Sequence, residues 1–570
     1  MTPLSSPRTG FRVAGLLEAT PETVSEHRVA LAELRPGVNA HEDAFVKLGA
    51  DGTPEWVISR GCAHAGGRLE LEPDRRSAVC PLHGWCLDLD GLRYTNGLGT
   101  KQPVPFEVEG GELRYRLERH RLERPDALRT PVSEPIEVRF LAHACVAIEC
   151  GGFRLVTDPW LIGPCFTTGW WHLHPPKNDA LELLAGANAV FLSHNHPDHT
   201  HLETLAHVSP DVEILVPDFE SRSAEVSARA LGLSPHALAF NTVFSHPDAP
   251  FSIAVLLAGS GRDDSGLLIF AGDRKILLAA DSRALNHFVL PHDVDVVFDS
   301  FAGGASGYPL CFENYDLEER RVISRRHADA VRHHVERVVE TTRPRAFVPY
   351  AGYFRVARAE DSLIGDHNVS NSVEEIAETV AAVAPETRFI DPRHDDRIRI
   401  AADRSITVDR VDAPALYTVG PDYVAPYVRA LEEEAAGFHA DELVGYFEHS
   451  EFQDDLILYV LPTDQSFVPQ GEGVRVDFSG PKPVVELRAP DALQAEYQSA
   501  EPGPLRRLEI RARREPLAHV VREQLAWEEL SIGFQCRVHR KPDLYNAHFW
   551  FHFTNRYIGS LRDRPEREGR

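Results

Sequence analysis

Four candidate metal ligands fall within the six residues His194-Asn-His196-Pro-Asp198-His199, which follow Ser193 at the end of the apolar run Ala189-Val-Phe-Leu. No other stretch constrains the fold as tightly. Three imidazoles and a carboxylate serve a metal only when they turn into one pocket, and a buried strand ending in a tight turn aims them so. The cluster therefore predicts a strand end inside an α/β layer. A further acid fits the same pocket. Asp281 in Ala280-Asp281-Ser282 follows the buried run Lys275-Ile-Leu-Leu, although an Asp there also suits a simple turn.

The spacing is the His-x-His-x-Asp-His signature of the metallo-β-lactamase fold, and Asp281 takes the place of the acid that usually bridges two metals there. That fold normally supplies another histidine between the two motifs. Here Leu256 to Asp264 contains none, so Asp263 or Asp264 substitutes, or one metal position is weak. Oxygen in place of nitrogen suits iron or manganese better than a dizinc hydrolase. His367, in Gly-Asp-His-Asn, is a tentative ligand from the far edge of the fold, and His246, in Ser-His-Pro-Asp, reads as a solvated loop residue.

A second cluster lies nearer the N-terminus. Cys62-Ala-His64 is followed by Cys80-Pro-Leu-His83, so that two short loops each offer one thiolate and one imidazole. Two thiolates on one iron and two neutral imidazoles on the other make a Rieske 2Fe-2S cluster, with a reduction potential of roughly −150 to +300 mV. Gly66, Gly67 and Pro81 permit the tight loops, and Gly84-Trp85 follows the last ligand. Structural zinc is the alternative, but zinc sites usually pair two cysteines on one arm and two histidines on the other. Cys86 reads as a small buried residue.

Short alternating runs broken by Gly, Pro, Asp and Asn occupy residues 11–117 and predict a small antiparallel β domain. The Arg- and Pro-rich stretch from Arg114 to Pro135 reads as a linker; its arginines either steer an acidic redox partner or are simply solvated. Buried-strand runs then alternate with helices expected at 316–342 and 372–384, followed by a third region with a helix near 424–437. The expected organisation is multidomain α+β: a Rieske domain over 1–122, a linker over 123–135, an αβ/βα metallo-β-lactamase-like sandwich over 136–409 and a C-terminal α+β region over 410–570. Sixty Lys and Arg against 86 Asp and Glu leave a net charge of −26, which disfavours nucleic acid and anionic lipid as partners. No apolar run approaches the roughly 20 residues of a membrane span, so a cytoplasmic protein is expected.

Both motifs, in this order, resemble the CMP-N-acetylneuraminate monooxygenase (hydroxylase) family. The likeness extends to Asp158-Pro-Trp160 through Trp171, to Phe301 through Gly307, to Pro349 through Phe354, and to Trp527 through Gln535. It implies a monooxygenase that receives electrons through Cys62, His64, Cys80 and His83 and activates O2 at one or two non-haem irons on His194, His196, Asp198, His199 and Asp281. It also implies a ferredoxin or cytochrome b5-like donor with its reductase, and a polar substrate, either a nucleotide-linked sugar or an amine or amide. A metal-dependent hydrolase with a regulatory Rieske domain and a redox sensor are the alternatives. The Gly-rich loop from Phe301 to Gly307 reads as an anion cradle or a tight turn. Trp160, Trp170 and Trp171 read as a lid that keeps water from the site, or as core.

Overall fold

The computed structural model describes residues 10–558 except 64–66, 82–83, 98, 305, 357, 359–360, 362–363, 365–366, 393–395 and 502, and the side chains of 23–25. Two eight-stranded sheets form its centre. The first contains Ile136–Ala142, Cys145–Cys150, Phe153–Thr157, Ala189–Phe191 and Glu213–Pro217 and is closed at one edge by Asp396–Ile400 and Ile406–Arg410. The second runs from Thr242–Ser245 through Ser252–Leu257, Ser265–Ala271, Arg274–Leu278 and Val296–Ser300 to Ala346–Tyr350 and Arg388–Phe389. Their inner faces share one core, in which Val138, Ile148, Leu155 and Phe191 meet Ile253, Leu268, Ile276 and Val297. Near-continuous apolar runs are what strands buried on both faces require.

Helices cover both outer faces. Ala180–Ala185 and Ser223–Ala230 bury Leu184 and Ala224 on the first sheet. Leu317–Thr342 and Val373–Val383 bury Val335, Val338, Ile376 and Val380 on the second. Each of the latter helices begins with a capping box, Asp316 with Glu319 and Ser372 with Glu375, which satisfies two otherwise orphaned amides at its start.

Two expectations about the N-terminal region need correction. The strand Arg12–Leu16 belongs to no small β domain; it pairs antiparallel with Thr242–Ser245, and Phe11 and Leu17 enter the central core. Its five residues, Arg-Val-Ala-Gly-Leu, are almost all exposed, so nothing in them says which edge they join. The stretch expected as linker from Arg114 is a strand as far as Glu123, paired with Glu18–Ala30. Leu113 and Tyr115 point inward, and Arg114 between them does not interrupt that alternation. Arg114, Arg116, Arg121 and Arg129 pair with Glu109, Glu26, Glu123 and Asp126, the solvated reading of this basic stretch.

The remaining N-terminal strands form small antiparallel sheets around Phe45, Trp56, Ile58, Leu69 and Leu87. At the other end of the chain a five-stranded sheet centred on Leu456–Thr463 and Arg506–Arg513 packs on helices from both sides of it. Its core takes in Trp160, Phe166, Trp170 and Leu310 from the central sandwich. Trp160, Trp170 and Trp171 are thus core: each is at most 1% exposed, and Trp170 stacks on Phe354 at 3.6 Å between centroids. Such a side chain buries 150–250 Å², about 4–6 kcal/mol of gross apolar burial each as an upper bound. No helix among the described residues is long and apolar enough to cross a membrane.

Candidate metal centre

The strand Ala189–Phe191 lies between two parallel neighbours, Phe153–Thr157 and Glu213–Pro217. Its continuation is held at both sides. The Ser193 amide donates to Asp158 Oδ1 at 2.7 Å, and Ser265 Oγ donates to the Ser193 carbonyl at 2.7 Å. Beyond it the chain folds into a tight loop in which the amides of His199 and Thr200 both donate to the His196 carbonyl. The loop brings the four motif residues to one place, as their spacing requires.

Three overlapping sets have ligand atoms within 4.8 Å of one another: His194, His196 and Asp264; His194, His199 and Asp281; and His143, Asp198 and His199. His194 and His199 are shared, so the sets describe adjacent positions rather than separate sites. Of the two candidates for the missing histidine, the structure places Asp264 in the cluster, with its Oδ1 3.9 Å from His194 Nε2. Asp263 is in none of the sets, and burial pushes its carboxyl up to about 6. His367 is half-buried and also outside them. His246 packs against the rings of Phe11 and Phe153.

Each of the three motif imidazoles has one nitrogen turned to the cluster and the other tied behind it. His196 presents Nδ1 to His194 Nε2 at 2.9 Å, while its Nε2 meets Glu528 Oε2 at 3.1 Å. His199 presents Nε2 to Asp198 and Asp281 at 3.5 and 3.7 Å, while its Nδ1 meets Asp158 Oδ2 at 3.1 Å. His194 holds Ser193 Oγ with Nδ1 at 3.0 Å. A carboxylate on the far nitrogen fixes tautomer and ring orientation, the usual arrangement behind a metal-bound histidine. Burial drives the His194 pKa well down, with His199 and His196 adding to the effect, so it stays a neutral donor. Burial also opposes charge on Asp198, yet His199 and His143 outweigh it and hold the carboxylate ionised.

The donor set fits a metal. His199 Nε2 and Asp198 Oδ1 are buried without a hydrogen-bond partner, and two imidazole nitrogens face each other at hydrogen-bond distance. Buried polar atoms are otherwise almost always paired. Four imidazoles and three carboxylates supply the nitrogen- and oxygen-rich surroundings that suit iron or manganese.

Three contributors were not apparent in the sequence. His143 turns the hairpin between Ile136–Ala142 and Cys145–Cys150 at φ 49° and reaches Asp198 Oδ2 at 3.1 Å. The one signal for it is a histidine interrupting the apolar run Leu141-Ala-His-Ala-Cys-Val. Asp158 ends the strand next to the motif strand. Glu528, on the C-terminal helix Glu528–Ile532, stands 332 residues from His196 and pairs also with Arg262, whose Nη2 donates to the Tyr545 hydroxyl. No local pattern announces it.

In the N-terminal cluster, His64 and His83 lie outside the described residues. Cys62 and Cys80 are both buried in the small β core. The Cys62 amide donates to the Gly67 carbonyl and the Gly84 amide to the Cys80 carbonyl. Tyr94 lies beside both: its hydroxyl accepts from the Ala63 amide at 2.9 Å, and burial, reinforced by the two neighbouring thiols, raises its phenol pKa. No disulfide occurs among the described residues. Two buried thiols beside one tyrosine fit the thiolate half of a 2Fe-2S cluster.

Residues 137–251 match the family model described as a β-lactamase superfamily domain. Among curated proteins, the cytidine monophosphate-N-acetylneuraminic acid hydroxylase of Cricetulus griseus is 28% identical over 528 residues, covering 86% of this chain and 90% of that protein. The hydroxylase of the same name from Mus musculus is 28% identical over 521 residues, covering 86% and 88%. Among solved structures, CmlA, a diiron β-hydroxylase from Streptomyces venezuelae, matches with 21% identity and a TM-score of 0.32 over 50% of this chain and 55% of that one. An isothiocyanate hydrolase from Delia radicum gut bacteria matches with 15% identity and a TM-score of 0.29, over 47% and 99%. The likeness to the CMP-N-acetylneuraminate hydroxylases that the motifs suggest thus runs along most of the chain.

Proposed function

We propose that this chain, similar over 86% of its length to proteins named hydroxylases, is an O2-dependent monooxygenase with two metal centres. One or two non-haem irons are assigned to His194, His196, Asp198, His199, Asp264 and Asp281, with His143 beside Asp198. A Rieske 2Fe-2S cluster is assigned to Cys62, His64, Cys80 and His83. The observation that carries the reading is Asp264 standing with His194 and His196, an oxygen donor where a dizinc hydrolase uses nitrogen.

Bound iron would supply O2 activation, and the cluster would deliver electrons one at a time from a ferredoxin or cytochrome b5-like donor and its reductase. The protein's own part is positional. Asp158 and Glu528 keep His199 and His196 in the tautomers that leave Nε2 and Nδ1 as donors. Trp160 and Trp170 flank His143 at 5.3 and 6.4 Å and exclude water from that side of the site. The substrate is a polar small molecule bearing an amide or amine, a class that includes the nucleotide sugar in the relatives' name.

Metal analysis and turnover test the reading together. The purified chain should contain iron in both centres and consume O2 with reductant and substrate. Zinc alone at the second site, with hydrolytic turnover indifferent to Cys80→Ser, would replace it with the hydrolase alternative.

A further inference from the structure

A continuous series of aromatic rings leads away from the metal centre. The His143 ring, which reaches Asp198, meets the Trp160 indole at 5.3 Å between centroids. Trp160 stacks on His172 at 3.8 Å and 25°. His172 closes the strand Trp170–His172, and its Nδ1 meets the Tyr417 hydroxyl. Tyr417 in turn stacks on Tyr423 at 4.5 Å and 8°. Tyr423 and Tyr427 lie one turn apart on the helix Pro421–Glu434, with centroids 5.8 Å apart, and the Tyr427 hydroxyl donates to the exposed Glu203 at 3.2 Å. Trp160 is fully buried and the three tyrosines are half-buried, so the series starts beside the ligands and ends at solvent.

We propose that Trp160, Tyr417, Tyr423 and Tyr427 form a redox-active path that carries a stray oxidising equivalent from the metal centre to the surface, where a soluble thiol quenches it. The inference rests on the oxygen chemistry proposed above. Indole and phenol are the aromatic side chains most readily oxidised by one electron, and here they stand in ring contact throughout.

Hydrogen bonding sets the direction. A phenol that loses an electron becomes a strong acid, so it needs a base at its hydroxyl. His172 Nε2 faces the Trp160 carbonyl at 2.9 Å, a group that only accepts, so Nε2 carries the hydrogen. Burial, with His143 adding to the effect, drives the His172 pKa well down, so the ring is neutral and Nδ1 turns a lone pair to the Tyr417 hydroxyl. Tyr427 has a base of its own in Glu203. Core packing alone brings rings together, but it does not require a phenol whose partner is held in the tautomer that takes its proton. Trp160 Nε1 donates to the Gly163 carbonyl at 3.0 Å, too weak a base to remove the hydrogen, so Trp160 passes on an electron only.

The electrons and protons balance. Trp160 gives one electron to the oxidised centre and becomes an indole radical cation. Tyr417 restores Trp160 with one electron and gives its proton to His172. Tyr427 then reduces Tyr417 across the Tyr423 ring and gives its own proton to Glu203, while His172 returns the first proton. A soluble thiol supplies the electron that restores Tyr427, Glu203 returns the proton, and the thiol becomes a thiyl radical as it releases its own proton to water.

Reaction of the full iron-loaded chain with hydrogen peroxide in the absence of substrate, followed by freeze-quench EPR and mass mapping of oxidised residues, provides the test. The parent should give a tyrosyl radical, identified by the narrowing of its signal when the tyrosine rings are deuterated. Tyr417→Phe, which keeps the ring packing, should lose most of that signal at unchanged metal content, and oxidation products should gather instead on Trp160 and the metal loop. Tyr427→Phe should keep the signal and prolong its lifetime, because the radical then stays on Tyr417, farther from the thiol. Peroxide consumed by bound iron with no tyrosyl signal, or a signal unchanged in Tyr417→Phe, would overturn the path and leave the oxygen chemistry standing. A chain that binds no iron, or whose iron leaves peroxide unconsumed, would overturn both.

Discussion

Glu528 is a residue through which the C-terminal region acts at the metal loop, beside the Thr554 carbonyl that accepts from Asn195. Its carboxylate holds the Nε2 side of His196, so Glu528→Gln, which keeps shape but weakens the acceptor, should lower metal affinity about 10-fold, and Glu528→Ala toward 100-fold. Equilibrium dialysis against competing chelator measures this, and unchanged affinity in both variants would deny Glu528 its positioning role. Glu509 offers a test of a different kind. It is buried, and burial pushes its carboxyl up to about 7, with Lys541 offsetting part of that. Since its folded pKa lies above the ordinary 4.5, the fold favours the protonated form, and the stability it contributes is complete below about pH 4.5 and lost as pH rises through about 7. Glu509→Gln should therefore flatten the fall in melting temperature across that window and raise stability above it by about 3 kcal/mol. At this scale the sequence reveals residues that share a motif. His194, His196, Asp198 and His199 are adjacent, so their convergence needs only one turn, whereas His143, Asp158 and Glu528 converge through sheet order and docking that no local pattern encodes.

The short helix Glu528–Ile532 is the element that delivers Glu528, and glycines seat it. A Cβ at Gly169 would fall 2.3 Å from the Gly533 carbonyl oxygen, and one at Gly307 would fall 2.1 Å from the Ser531 carbonyl oxygen. Neither clash is with a flexible side chain, so backbone must move. Gly169→Ala should thus cost about 3 kcal/mol and, by displacing the helix, also weaken metal binding. Melting curves and metal titration on the same preparation check both, and a destabilised chain with full metal affinity would separate the helix seat from the site. Helices with capping signals, such as Leu317–Thr342, are legible because every cue for them is local. The strand Arg12–Leu16 is not, since its partner Thr242–Ser245 lies some 230 residues away and its own residues fit any half-exposed edge.

The three regions are joined more closely than a series of separate domains would be. The N-terminal strand Arg12–Leu16 covers the edge of the central sheet, and Glu22 reaches His292 at 3.1 Å. The C-terminal core takes Trp160, Phe166 and Trp170 from the sandwich. A chain cut after Arg410 would expose those rings and lose Glu528, so it should aggregate rather than fold into an active sandwich. The two proposed metal centres, by contrast, draw on different side chains and should be separable by substitution. In the double variant Cys62→Ser, Cys80→Ser, the thiolate donors disappear from a small β core that contributes no ligand to the second centre. Visible absorption of the cluster should vanish and reductant-driven hydroxylation should fall below about one-hundredth of the parent, the loss of an obligatory electron carrier. Metal at the second centre should stay at the parent level. Metal counting and absorption spectra on the intact chain read these outcomes independently. Hydroxylation that survived the loss of the cluster would mean that electrons reach the His194 site by another route. Loss of metal from both centres would mean that the N-terminal region supports the sandwich structurally, through the shared sheet edge, rather than as a conduit for electrons.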